Sequence, residues 1–171
     1  MCWVNRPSTF LLESTTMNTN SRGVEAAQAG DLTKAEMLFK QAYAEDPSNQ
    51  GIFQNIIRAM QMRGDIDGLI EYYEHARIGN SNLKTDKNIE NQIIELALRA
   101  GRQQKAKKIL SNRAKQGDYS AAIIAPLTEI LFENNELEQA KILLIKAIEI
   151  DRNDPSLLTN LAIIETKPLL F

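Results

Sequence analysis

Apolar and small side chains recur along this chain in steps of four and three. Ala35 is followed by Phe39 and Ala42, and the same steps lead from Leu69 to Tyr73 and Ala76, from Ala106 to Leu110 and Arg113, and from Ala140 to Leu144 and Ala147. A second register contains Arg22, Ile56, Ile93 and Leu127 upstream of the four sets and Leu161 after the last, with Ala26, Met60, Ala97, Leu131 and Glu165 four residues further on. Residues three and four apart share one face of a helix, and small residues there let two helices approach closely. The pattern predicts pairs of amphipathic helices, the second of each pair carrying the small-large-small face. No β-branched alternation of the kind that marks a strand interrupts it.

Between the two helices of each pair stands a turn signature: Gly30-Asp31, Gly64-Asp65, Gly101-Arg102 and Asn135-Glu136, at successive steps of 34, 37 and 34 residues. Self-similarity at this period marks a helical solenoid, whose units stack to bury a core that none could bury alone. Asp31 and Asp65 are placed to cap the second helix of their units. Asn135 with Glu138 has the form of a capping box. Asp46-Pro47 and Asp154-Pro155 mark unit borders, because the residue before proline avoids helical dihedrals. The three extra residues of the longer step fall in 79–86, a lengthened connection between the second and third units.

The pattern resembles the tetratricopeptide repeat family. The first repeat, about 16–49, carries Gly23, Gly30, Ala35, Phe39, Ala42 and Pro47. It departs with Ala26 in place of an aromatic and Thr19 in place of a bulky residue. The second, about 50–83, supplies Phe53, Ile56, Gly64, Tyr73 and Ala76, with Leu69 at the small position and Ser81 where proline is usual. The third and fourth, about 87–120 and 121–154, keep Ala106 and Ala140 but place Arg113 and Arg152 at Ala- and Pro-type positions. A partial fifth unit starts at Pro155. The resemblance implies an all-α fold: an α-solenoid of about four helix-turn-helix repeats plus one terminal helix, wound as a right-handed superhelix over residues 17–167.

Residues 1–16 share nothing with the repeat and are expected to be disordered, with Met17 a plausible alternative start; 168–171 form a tail. The last helix lacks a polar capping partner of the sort solenoid ends need, which suggests a truncated chain and leaves self-association through that helix open. No apolar run approaches the roughly 20 residues needed to cross a membrane. No export signal is recognisable and the chain has a single cysteine, Cys2, so a cytoplasmic location is the default.

Candidate catalytic chemistry is scarce. One histidine, His75, and one cysteine are too few for a Cys/His nucleophile or metal cluster. His75 reads as an ordinary helix-surface residue. Glu129 and Glu133, one turn apart, read as a solvated or groove face rather than an acid/base pair. The glycines stand singly at turns, so no phosphate loop is formed. The expectation is a non-enzymatic protein with no catalytic residues, no cofactor and no metal.

What remains is a surface. In the resembled family, the first helices of successive repeats line a concave groove that receives an extended peptide or a partner helix. The matching positions here are Asn20 in the first repeat; Gln54, Asn55, Arg58 and Gln61 in the second; Asn88, Asn91, Gln92, Glu95 and Arg99 in the third; and Glu129, Glu133 and Asn160 beyond. Amide side chains both donate and accept, which suits sequence-tolerant binding of a peptide backbone. This resembles the asparagine-lined grooves of some repeat-containing glycosyltransferases, with Asn55 and Asn160 at the corresponding place. The competing view is that these amides merely solvate a helix face. A chaperone-type carboxylate clamp is argued against, since only Asn55 matches it and Asn20 and Val24 stand where a lysine and an asparagine are needed.

Charge adds a weaker hint. Seven basic residues and no acidic one lie between Leu96 and Gly117 (Arg99, Arg102, Lys105, Lys107, Lys108, Arg113 and Lys115), yet the net charge is −2 and the stretch has no aromatic for base stacking. Nucleic acid is therefore disfavoured as a partner, and a membrane is not expected. The leading expectation is a protein–protein interaction scaffold. The alternative is the substrate-recognition arm of a multidomain transferase whose catalytic part is absent.

Overall fold

The computed structural model describes residues 9–79 and 86–166. Among these the chain is all-α, with nine helices: α1 (Thr9–Gln28), α2 (Leu32–Glu45), α3 (Gln50–Met62), α4 (Ile66–Gly79), α5 (Lys87–Arg99), α6 (Gln103–Lys115), α7 (Ala121–Glu133), α8 (Leu137–Ile150) and α9 (Pro155–Thr166). Two compact units divide within α5, between Leu96 and Ala97.

The turn signature works through backbone geometry. Gly30, Gly64 and Gly101 have φ of 82°, 74° and 69°, and Asn135 has 62°. The residue after each sends its N–H back into the last turn of the preceding helix: Asp31 to Ala26 O at 2.9 Å, Asp65 to Met60 O at 3.0 Å, Arg102 to Ala97 O at 2.7 Å and Glu136 to Leu131 O at 2.8 Å. This is the left-handed helix stop that glycine adopts without steric penalty and asparagine tolerates. Asn135 is therefore the turn residue itself. The expected capping box is absent: α8 is capped by Glu136, with no side-chain capping bond. The aspartates do cap, Asp31 Oδ1 accepting from Lys34 N at 3.0 Å and Asp65 Oδ1 from Gly68 N at 2.9 Å. At the unit borders Asp154 Oδ1 takes Leu157 N at 3.1 Å, while Asp46 Oδ1 takes Ser48 N at 3.1 Å.

In the first unit α1 packs on α2, α2 on α3 and α3 on α4. Gly23 is needed at the α1–α2 crossing, where a Cβ would stand 2.6 Å from the Phe39 ring. The core here sets an aromatic cluster among aliphatic side chains. Phe53 is fully buried and lies 5.1 Å from Tyr43, 5.9 Å from Tyr72 and 6.4 Å from Tyr73, centroid to centroid. Two buried carboxylates are paired: Glu36 with Lys40 and Arg63, and Glu90 with Arg77 at 3.5 Å and the Tyr73 hydroxyl at 3.1 Å.

The second unit packs α6 on α7, α7 on α8, and α9 on both α7 and α8. Its core is aliphatic, built on Ile109, Leu110, Ile123, Ile124, Leu127, Leu131, Leu144 and Leu157. Arg113 occupies a small-residue position and is itself buried; Asp118 neutralises it through Nε at 3.2 Å and through Nη2.

Some borders differ from expectation. Helix α1 begins at Thr9, so the segment read as disordered is helical from there on, and Met17 lies inside a helix. Pro126 sits within α7. Residues 1–8, the greater part of the lengthened connection (80–85) and the tail 168–171 lie outside the described residues.

Candidate functional site

Each unit carries a cleft on its first helices. In the first unit, α1, α2 and α3 enclose about 270 Å³ lined by Val24, Ala27, Gln28, Leu32, Phe39, Asn55, Arg58, Ala59 and Met62. Phe39 forms the buried floor, whereas Met62 is 64% exposed and Val24 36% exposed. Asn55 is half-buried, and its Nδ2 donates to Asn20 Oδ1 at 3.1 Å, tying α3 to α1. Arg58, one turn from Met62, stands exposed at the edge.

In the second unit, α7 and α9 enclose about 300 Å³ lined by Thr128, Glu129, Phe132, Glu133, Asn160, Ile163 and Ile164. Asn160 is buried, its Nδ2 donating to Ala125 O and to Thr128 Oγ1, both at 3.1 Å. The Thr128 hydroxyl lies 2.9 Å from both the Ile124 and Ala125 carbonyls. Glu129 and Glu133 are exposed along one edge, and Glu133 Oε2 accepts from Gln103 Nε2 at 2.8 Å.

Asn55 and Asn160 thus serve corresponding purposes. Each bridges to a residue 35 positions earlier in the chain. The anticipated groove residues are distributed unevenly about these bridges. Asn55 and Arg58 line the first cleft, and Glu129, Glu133 and Asn160 line the second. Asn20 supports Asn55 from behind, and Asn160 is buried rather than outward-facing. Gln61, Asn88, Asn91, Glu95 and Arg99 are exposed on their helices and Gln54 and Gln92 half-buried, none of them lining either cleft. The apolar lining by Val24, Met62, Phe132 and Ile163 lies outside the set of polar groove positions that the repeat register predicts. Their signal was a large apolar side chain on an otherwise polar first-helix face.

The basic stretch is less free than its composition suggests. Arg113 is buried against Asp118, and Lys107 pairs with Glu136 at 2.5 Å. His75 is exposed, Nδ1 lying 2.7 Å from the Glu71 carbonyl of its own helix. Among the described residues no group of three or more His, Cys, Asp or Glu is arranged to hold a metal, and no helix is long and apolar enough to cross a membrane.

Solved structures share this architecture. A tetratricopeptide repeat protein from Parabacteroides merdae superposes with a TM-score of 0.61 at 16% identity, over 89% of this chain and 59% of that one. The chain has a tetratricopeptide-repeat fold. PilF of Pseudomonas aeruginosa matches with a TM-score of 0.51 at 17% identity, over 90% of this chain and 68% of PilF. This chain therefore spans about three-fifths of the length of the first of these repeat proteins. No family model matches the sequence, and no curated protein does. Within the tetratricopeptide-repeat fold, α1 and α3 are the first helices of consecutive repeats, as are α7 and α9, so both clefts lie on the first-helix side of their units.

Proposed function

We propose that this chain is a protein–protein interaction scaffold that holds an extended peptide or a partner helix on the first-helix faces of its repeats. The observation that carries this reading is the construction of the two clefts. Each combines exposed apolar side chains with ionic groups at the edge, and each is held open by an asparagine bridge that fixes the spacing of its walls. Exposed large hydrophobics beside polar groups are the usual make-up of a surface that another chain covers. Helical-repeat proteins of this fold support the same reading as a class. No feature of either cleft favours the transferase-arm alternative.

The test is affinity capture from the native cell extract, read by mass spectrometry. Wild type is run beside Arg58→Ala with Met62→Ala, and separately beside Ile163→Ser, each first checked for unchanged helicity and cooperative unfolding. Loss of a captured protein in either variant is the expected result. Identical captures by all three chains would overturn the assignment of binding to the first-helix faces.

A further inference from the structure

The polar groups lining the cleft between α7 and α9 can be sorted into donors and acceptors, and they come out one-sided. Thr128 lends its hydroxyl proton to the carbonyls behind it, at 2.9 Å. Asn160 uses its Nδ2 on Ala125 O and Thr128 Oγ1, at 3.1 Å each. An amide nitrogen has two protons and a hydroxyl one, so these groups are engaged inside the protein. The atoms left toward the cleft are acceptors: the Glu129 carboxylate, the second Glu133 oxygen and Asn160 Oδ1. No lysine or arginine is among the lining residues, and among the described residues the group bonded to Glu133 is the neutral Gln103 amide. Below this edge the surface is apolar, with Ile163 45% exposed beside Phe132 and Ile164.

We propose that this cleft receives a lysine or arginine side chain of a partner protein segment, its methylene stem against Ile163 and Phe132 and its charged head between Glu129 and Glu133. Long cationic side chains bury their stems on apolar surface and keep their heads at polar groups, which matches an apolar floor with an acidic edge. A cavity of about 300 Å³ is at the small end for ligand sites, fitting one long side chain and its neighbour rather than a cofactor. An anionic or purely aliphatic segment would meet two carboxylates with nothing to offer them. This inference rests on the scaffold reading and adds to it the charge of the partner.

The test uses the full chain, isotopically labelled, and three pools of short peptides with randomised aliphatic flanks. The pools differ in carrying lysine, glutamine or glutamate at the central position. The expected result is that the lysine pool alone moves the amide resonances of α7 and α9. Glu129→Gln with Glu133→Gln should weaken its binding roughly tenfold, as for removal of two partly exposed charge pairs. High salt should weaken wild-type binding and leave the double variant nearly unchanged. The amide that replaces the Glu133 carboxylate can still accept from Gln103, so the fold is preserved. Equal binding of the glutamine pool to α7 and α9 would overturn the charge selection while leaving the scaffold reading in place. Lysine-pool binding that maps elsewhere, binding insensitive to the double variant, or no binding of any pool would overturn the site itself.

Discussion

The two units are built by the same repeat logic and finished with different chemistry. In the first, three tyrosine rings gather around Phe53, the bridging asparagine reaches another side chain, and the cleft edge carries Arg58. In the second the core is aliphatic, the bridging asparagine is buried on a backbone carbonyl and a threonine hydroxyl, and the cleft edge carries Glu129 and Glu133. The difference teaches that the repeat fixes where a bridge and a cleft occur without fixing their strength or charge. Those depend on single residues at otherwise equivalent positions.

The comparison is broken most forcefully at the cores. Phe53→Ala removes a fully buried ring touching three others, and should cost about 3–5 kcal/mol, measured by urea unfolding of the whole chain. A cost under about 1 kcal/mol would mean that the cluster is not packed as described.

The bridges come next. Asn160→Ala leaves buried acceptors without their amide partner and should cost about 1–3 kcal/mol, whereas Asn55→Ala, at a half-buried bond between side chains, should cost about 0.5–1.5 kcal/mol. Equal losses in the two variants would show that burial does not distinguish the bridges.

The smallest effect is confined to the aromatic unit. Burial, then Tyr43 and Glu36 nearby, pushes the Tyr72 phenol up from 10.0 to about 12. The folded state therefore holds this proton more tightly than the unfolded state. The resulting stabilisation is complete below pH 10, and it is lost as pH rises through about 12. Phenolate absorbance should show a step near pH 12 that is lost in Tyr72→Phe. An unchanged titration in the variant would assign the late step to another ring.

Much of the fold was legible in the sequence, and the clefts were less so. The turn register found at Gly30, Gly64, Gly101 and Asn135 coincides with the four left-handed residues that stop the first helices. Asn135 falls in the turn register yet ends α7 instead of capping α8, because a single sequence does not distinguish an asparagine that caps a helix from one that ends the helix before it. Helix α1 extends back to Thr9 although nothing there follows the repeat, since a helix can continue past the unit that explains it. The repeat register predicts groove residues by position alone. Position gave Asn55, Arg58 and Glu129 to the clefts, while Gln61 and Asn88 are placed on open helix surface.

The sequence by itself determined the all-α repeat, the helix pairs and their stops, because these rest on spacing along the chain and on the conformational freedom of a few residues. Only the tertiary structure decided which polar groups remain available. Asn55 and Asn160 occupy matching places in the pattern, but their partners come from 35 residues away, and only folding brings those partners within hydrogen-bond distance. Arg113 has its partner only five residues along the chain, yet its burial against Asp118, which takes it out of the basic surface, is again set by what packs around it. Local periodicity is written in neighbouring residues; the satisfaction of a donor or a charge is a property of whatever packs on it.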